Sequence, residues 1–369
     1  MQFLCLIAGA AIIAIIFFDI FQTVIVPRPT GWRYRPSAWL SRSSWRGWSR
    51  AAFRFVGSSA REDFLGAFAP FMLVTLLVFW IAMLVFGYGL VFFALRDQVK
   101  PTPGLSDAIY YAGTSLLTIG YGDLAPSGTG ARFVSLCAGA SGLGAFAIIT
   151  AFLFSIFGAY QQREAFVVMF TNRAGAPPSG VDMIEVHAQL DMIGGLISIM
   201  RDSELWLAQV LETHLAYPIL TYFRSTHDDI SWIAVVGTIL DASTLVITAI
   251  DLKSKGEAKI VNRLGRHFVN DFSRYYEVAE GNQVGIERGE FDTAYERLRQ
   301  AGVPMRERER AWTEFAEIRS TYATRLNTIA QYWHIPPAQW VGDRSLIPHH
   351  LPLQVGAASL ADAVATIES

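Results

Sequence analysis

Three apolar stretches, residues 3–26, 65–95 and 133–160, decide most of what this chain can fold into. A helix needs about 20 residues to cross the hydrocarbon core of a bilayer, and each stretch is that long. The rest of the composition agrees. The 369 residues are 52% hydrophobic and only 17% charged, with a mean hydropathy of +0.32, which is too apolar for a soluble chain of this length. The first stretch lacks the basic flank and small-residue cleavage site of a secretory leader, so it is expected to stay as a helix.

Charge sets the expected orientation. Between residues 27 and 63 stand eight arginines, Arg28, Arg33, Arg35, Arg42, Arg46, Arg50, Arg54 and Arg61, against two acids. Positive loops stay on the cytoplasmic side. The first helix is therefore expected to start outside, the second to run outward and the third to return. Everything after Tyr160 is then cytoplasmic, a portion with 19 Lys+Arg against 26 Asp+Glu. Cys5 and Cys137 both sit in apolar runs, so neither a disulfide framework nor a metal cluster is expected.

The segment between the second and third spans falls on the outer side, and its content is unusual. A helical pattern capped at Ser106 or Asp107 runs over 108–117, and is followed by Thr118-Ile119-Gly120-Tyr121-Gly122-Asp123. A short helix followed by a glycine-interrupted strand, placed between two spans, reads as a re-entrant loop. Non-helical backbone at membrane depth is tolerated only where protein buries it or where it lines a watery path. Gly120 and Gly122 permit backbone conformations that are costly with a Cβ, and so let neighbouring carbonyls point to one axis. Such carbonyls can replace the hydration shell of a cation.

Thr118–Asp123 resembles the selectivity filter of potassium channels, and the order outer helix, pore loop, inner helix resembles their two-transmembrane pore domain over about residues 65–160. The resemblance implies K+ sites at Thr118, Ile119, Gly120 and Tyr121, with Asp123 at the outer mouth and the Tyr121 ring turned away from the ion. Ile119 stands where valine is usual, Leu117 where a second threonine is frequent, and Thr114 at a position that is acidic or apolar elsewhere. One loop per chain supplies a quarter of the coordination, which implies a homotetramer. Passive, selective potassium conduction is the expected function. A non-selective cation channel, or a membrane-tethered scaffold with a vestigial pore, are the alternatives.

In the third span Gly139, Gly142, Gly144 and Gly158 allow two roles, close helix packing or a hinge. Gly142 lies nearest the family's usual hinge position. Leu143, Ala147, Thr150 and Phe154 share one helical face. If that face lines the cavity, Phe154 or Phe157 forms an apolar constriction. Arg42, Arg46, Arg50 and Arg54 recur every fourth residue among Trp39, Trp45, Trp48 and Phe53, the pattern of an interfacial helix on anionic lipid. Asp19, inside the first span, is expected to pair with one of these arginines.

The expected fold is thus an all-α membrane protein. Its segments are a first helix (1–27), an arginine-rich interfacial stretch (28–64), a pore domain (65–160), a linker (161–180), a helical cytoplasmic domain (181–345) and a tail (346–369). Helical patterns cover 181–199, 203–223, 229–250, 263–278, 290–301 and 306–332, with Pro218 ending or kinking the second. The apolar run 230–250 carries Asp241 at its centre and is expected as a buried core helix, not a fourth span. His227, Asp228 and Asp229 read as a helix start. No dinucleotide fingerprint, nucleophile motif or metal-ligand spacing of histidines is present, so neither an enzyme nor a cofactor is expected, and nothing suggests nucleic acid.

Overall fold

The computed structural model describes residues 1–26, 35–226, 230–278 and 288–335, together with Ala338 and Trp340. Arg28, Arg33, the 227–229 cluster, His349, His350 and the tail lie outside these residues. Among the described residues, three helical stretches are long and apolar enough to cross a membrane: Gln2–Ile25, Ser58–Ala94 and Thr129–Ala174.

The first contains α1 (Gln2–Ile20) and a π-helical turn (Phe21–Ile25). It packs antiparallel on α4 (Phe68–Ala94). Gln2 Nε2 reaches Asp97 Oδ2 at 3.4 Å beyond the far end of α4, while Asp19 meets Trp80 further down. The start of α1 therefore lies at the same end of the bundle as the loop between the second and third spans. The two helices touch through glycines: a Cβ on Gly9 would stand 2.6 Å from the Gly87 carbonyl oxygen. Small residues let backbones approach this closely where lipid supplies no hydrophobic drive.

The chain then turns into α2 (Pro36–Phe55), which opens with proline at its first position. Here the expectation for Asp19 is corrected. Its Oδ1 accepts from the Ser37 hydroxyl at 2.8 Å and from the Ser37 amide at 3.4 Å, and its Oδ2 accepts from Trp80 Nε1 at 2.8 Å. No described arginine pairs with it. A helix start offers unpaired N–H groups and a positive dipole end, and these draw the carboxylate. The aromatic pattern is also split. Trp45 is buried between Phe68 and Tyr222, with ring centroids 5.0 and 5.2 Å away. Trp48 stacks on Phe64 and donates to its carbonyl at 2.8 Å. Trp39 stays exposed, as do Arg42, Arg46, Arg50 and Arg54.

After α3 (Arg61–Gly66) and α4, a two-residue strand β1 (Val99–Lys100) pairs antiparallel with β2 (Ala125–Pro126). These clamp the loop that holds α5 (Leu105–Leu116). The inner helix α6 runs unbroken from Thr129 to Ala174. Residues 161–174, expected as linker, are thus helical. They continue because Arg163, Val167, Phe170 and Ala174 are buried on one face against the C-terminal helices. The helix stops only at Gly175, whose φ is +81°.

The C-terminal unit comprises α7 (Gly180–Gln189), α8 (Leu196–Ala216), α9 (Trp232–Thr248), α10 (Gly256–Tyr275), α11 (Arg288–Gln300), α12 (Arg308–Ser320) and α13 (Ala323–Tyr332). Two predicted helices are each divided. The first breaks at residues 190–195, where Asp191 adopts a φ of +55° before a short 3-10 turn at Ile193–Gly195. The last breaks at Thr321 and Tyr322, between α12 and α13. Pro218 follows the end of α8 and opens a 3-10 turn. α9 is buried almost all round. Its Asp241 accepts from Arg319 Nε at 2.9 Å and from the Tyr322 hydroxyl at 2.7 Å, and both charged side chains are 2% exposed. Removing one partner of such a pair strands the other charge, which costs about 3–5 kcal/mol. Asp241→Ala is expected to lower the unfolding midpoint of the detergent-solubilised protein, followed by tryptophan fluorescence. Asp241→Leu combined with Arg319→Met should recover most of the loss, because a buried apolar pair carries no stranded charge.

Candidate ion pathway

α5 starts at Leu105 and is capped by Gly104, whose amide donates to Asp107 Oδ2 at 3.0 Å. The helix therefore begins a turn earlier than the expected 108. At its other end the chain reverses through Leu117 and enters Thr118–Asp123. Three amides of this segment point back to the helix: Thr118 N to Ser115 O at 3.2 Å, Ile119 N to Thr114 O at 2.8 Å and Gly120 N to Thr114 O at 3.3 Å. The φ angles of Thr118, Gly120 and Gly122 are +57°, +62° and +83°, while Ile119 and Tyr121 stay outside the positive region. Such alternation in the sign of φ is a backbone in which successive carbonyls can turn to a common side. Glycine adopts that conformation freely, whereas Thr118 does so against the steric preference of its Cβ.

The rings of Tyr110 and Tyr121 are parallel at 6.5 Å, which sets an aromatic pair beside this segment. Residues 117–123 are exposed on the single chain, the Tyr121 ring by 70%. Two hydroxyl pairs tie the frame together: Tyr111 to Ser135 at 2.8 Å, and Tyr88 to Ser141 at 2.7 Å.

The inner helix meets the loop at Gly142. A Cβ there would lie 1.7 Å from the Leu116 carbonyl oxygen, so the contact admits no side chain. Of the two roles open to Gly142, its surroundings support close packing, and α6 continues through it without a break. Leu143, Ala147, Phe154 and Phe157 are exposed, whereas Thr150 is half-buried and donates to Phe146 O at 2.9 Å.

Sequence patterns missed the joint below the membrane span. Arg163 on α6 is 2% exposed. Its Nη1 donates to Leu220 O at 3.0 Å and lies 3.0 Å from His214 Nε2. Nη2 donates to Phe223 O at 2.8 Å, and Nε to Glu164 Oε1 at 2.9 Å. The guanidinium also lies over the rings of Tyr160 and Trp232. His214 Nδ1 sits 2.9 Å from Val210 O, which places the proton on Nδ1 and leaves Nε2 to accept from Arg163. A second link joins Arg224, after the 3-10 turn, to Glu62 on α3 and to the carbonyls of Trp333 and His334. The available signal was an Arg-Glu pair a few residues past an apolar run. Alone it reads as an interfacial anchor.

Residues 71–159 match the model of a family described as "Ion channel". This segment is an ion-channel pore domain of the two-transmembrane, pore-loop type. An uncharacterized membrane protein of Bacillus subtilis (strain 168), YdjJ, is 28% identical over 221 residues, covering 57% of this chain and 59% of that protein. The chain thus aligns with less than two thirds of that relative's length. No solved structure matches the chain. Among the described residues no group of three His, Cys, Asp or Glu side chains is arranged to hold a metal ion.

Two outcomes test this geometry. Gly142→Ala forces the pore-helix end and α6 apart, and overpacking of this kind costs about 1–3 kcal/mol. Its melting temperature in detergent should fall clearly below that of Gly47→Ala, where an added Cβ meets nothing within 4 Å. His214 gives a pH dependence. Burial, then the Arg163 charge, hold its imidazole well below the ordinary value. The unfolded chain takes up that proton near about pH 6.5 and the folded chain only at lower pH, so stability falls as pH drops through that region. His334, held down by burial and Arg224, acts in the same direction. The loss of melting temperature between about pH 7.5 and about pH 5.5 should therefore be smaller in His214→Gln than in the parent.

Proposed function

We propose that this pore domain conducts potassium selectively and passively, as one of four identical subunits around a common axis. The observation that carries the proposal is the alternating backbone of Thr118–Gly122, whose Thr118, Ile119 and Gly120 amides bond to α5 while no described amide bonds to its carbonyls. The Thr118 hydroxyl and carbonyl form the innermost site, and the Ile119, Gly120 and Tyr121 carbonyls the sites above it. One chain supplies one wall. The exposed Leu143, Phe146 and Tyr121 are the surfaces that neighbouring copies would cover. Phe154 or Phe157 forms the constriction at the inner end of the cavity.

The arginine loop orients the protein in the cell membrane with the start of α1 outside and the C-terminal unit in the cytoplasm. Arg42, Arg46, Arg50 and Arg54 then rest on anionic lipid headgroups. The C-terminal unit gates the pore through Arg163, which sits on the same unbroken helix as Leu143 and Phe154.

The test is flux of potassium against sodium from liposomes holding the purified protein, with Gly120→Ala and Gly122→Ala beside it. Selective potassium flux that both variants lose is expected. Equal potassium and sodium flux would favour a non-selective cation channel. Normal flux from either glycine variant would remove Thr118–Asp123 from the pathway. A tetramer with no flux in either lipid leaflet orientation, at any membrane potential or pH, would favour the scaffold reading.

A further inference from the structure

Below the membrane span, α6 has two unlike faces. One is gripped by the chain's own C-terminal unit through Arg163, Val167, Phe170 and Ala174. The other presents Gln161, Ala165, Val168 and Asn172, all exposed. At 3.6 residues per turn these four fall within an arc of about 60°, and Leu143, Ala147, Thr150 and Phe154 above them fall in the same arc to within about 20°. A single straight stripe therefore runs from beside the filter down to Asn172, on one continuous helix.

The stripe carries no charge. The helix does hold charged residues here, but Arg163 and Glu164 are buried on the covered side and Arg173 is half-buried. Elsewhere in the same unit, the exposed helix faces carry charge, Lys259 and Arg263 on α10 and Glu309 and Arg310 on α12, even where an apolar side chain such as Ile260 is exposed beside it. The stripe on α6 differs from these mixed faces in having no charge over four successive exposed positions.

We infer that this stripe is an interface between copies of the chain: four α6 helices meet in a parallel bundle beneath the membrane, with Ala165 and Val168 facing their own counterparts across the axis. The inference rests on the fourfold arrangement proposed above. A helix that faces the axis at Leu143 and Phe154 must, if unbroken, face it again about 38 Å from Leu143 at Val168. Four like surfaces can converge only where like charges are absent, and here they are. Small Ala165 lets the helices approach, Val168 fills the seam, and Gln161 and Asn172 close it at either end with side chains able to hydrogen-bond across it. The bundle extends the axis of the pore past the constriction, and the grip on the opposite face fixes each C-terminal unit to it.

The experiment is cysteine cross-linking in liposomes, in a Cys5→Ser/Cys137→Ser background. Val168→Cys and Ala165→Cys are compared with Gln162→Cys, an exposed position on the same helix about 100° from the stripe's first residue. Oxidation with copper phenanthroline should give a disulfide-linked dimer several-fold more abundant for residues 165 and 168 than for 162. Native mass and potassium flux are measured on the same preparations. A tetramer with selective flux in which neither 165 nor 168 cross-links overturns the bundle and leaves the channel proposal standing. Equal cross-linking at 162 overturns it too, because contact would then have no preferred face. A monomeric mass without flux removes the fourfold arrangement, and the bundle with it.

Discussion

One constraint bears on the whole pore domain: a non-helical stretch of backbone, Thr118–Gly122, stands between two helices long and apolar enough to cross a membrane. In hydrocarbon an unpaired peptide group costs several kcal/mol, so spanning segments are normally closed helices. Thr118–Gly122 escapes that rule by division of labour. The Thr118, Ile119 and Gly120 amides bond to the Thr114 and Ser115 carbonyls at the end of α5, and no described backbone amide bonds to the carbonyls of Thr118–Gly122. That arrangement needs the pore-helix end to be fixed closely. The contact between Gly142 and the Leu116 carbonyl, and the Tyr88–Ser141 and Tyr111–Ser135 pairs, all serve to fix it.

The same constraint shapes the α1–α2 corner. Asp19 lies in an apolar helix yet has no described ionic partner. It is satisfied instead by the start of α2 and the Trp80 indole. A carboxylate with several well-placed donors is accommodated at depth without a counter-charge on a side chain, since the helix start supplies a partial positive charge of its own. The arginines of α2 are thereby left to solvent or to lipid, and Trp45, buried beside Phe68 and Tyr222, joins the foot of the outer helix to the C-terminal unit.

What could be read in the residues, and what could not, follows from range. The three spans and the Thr118–Asp123 loop are local: length, hydropathy and glycine spacing lie within short windows, and the structure places them close to where the pattern puts them. Asp241 was legible as an argument against a fourth span because a charge inside an apolar run needs a partner, although nothing local names Arg319 and Tyr322. Long-range contacts were not legible. Gly142 allowed packing or bending equally until the Leu116 carbonyl was seen against it. The linker assigned to 161–180 failed for the same reason, because residues 161–174 are helical through the burial of one face by helices distant in sequence.

Arg163 illustrates why that burial takes a polar form. Hydrophobic contact is non-directional, so an apolar face lets a helix slide or rotate against its neighbour at little cost. Hydrogen bonds weaken steeply when distance or angle departs from the optimum. The Arg163 guanidinium bonds to Leu220, Phe223 and His214 at 2.8–3.0 Å, partners on both sides of the loop between α8 and the 3-10 turn, while its neighbour Glu164 on α6 holds the guanidinium in place. A shift of α6 by one residue, about 1.5 Å along its axis, would break several of them at once. The joint therefore holds one rotation and one register of the inner helix. A joint of this kind resists slip between α6 and α8. The buried Asp241–Arg319 pair, by contrast, links α9 only to other helices of its own unit, so its geometry fixes the unit's interior and leaves the angle of the inner helix to Arg163.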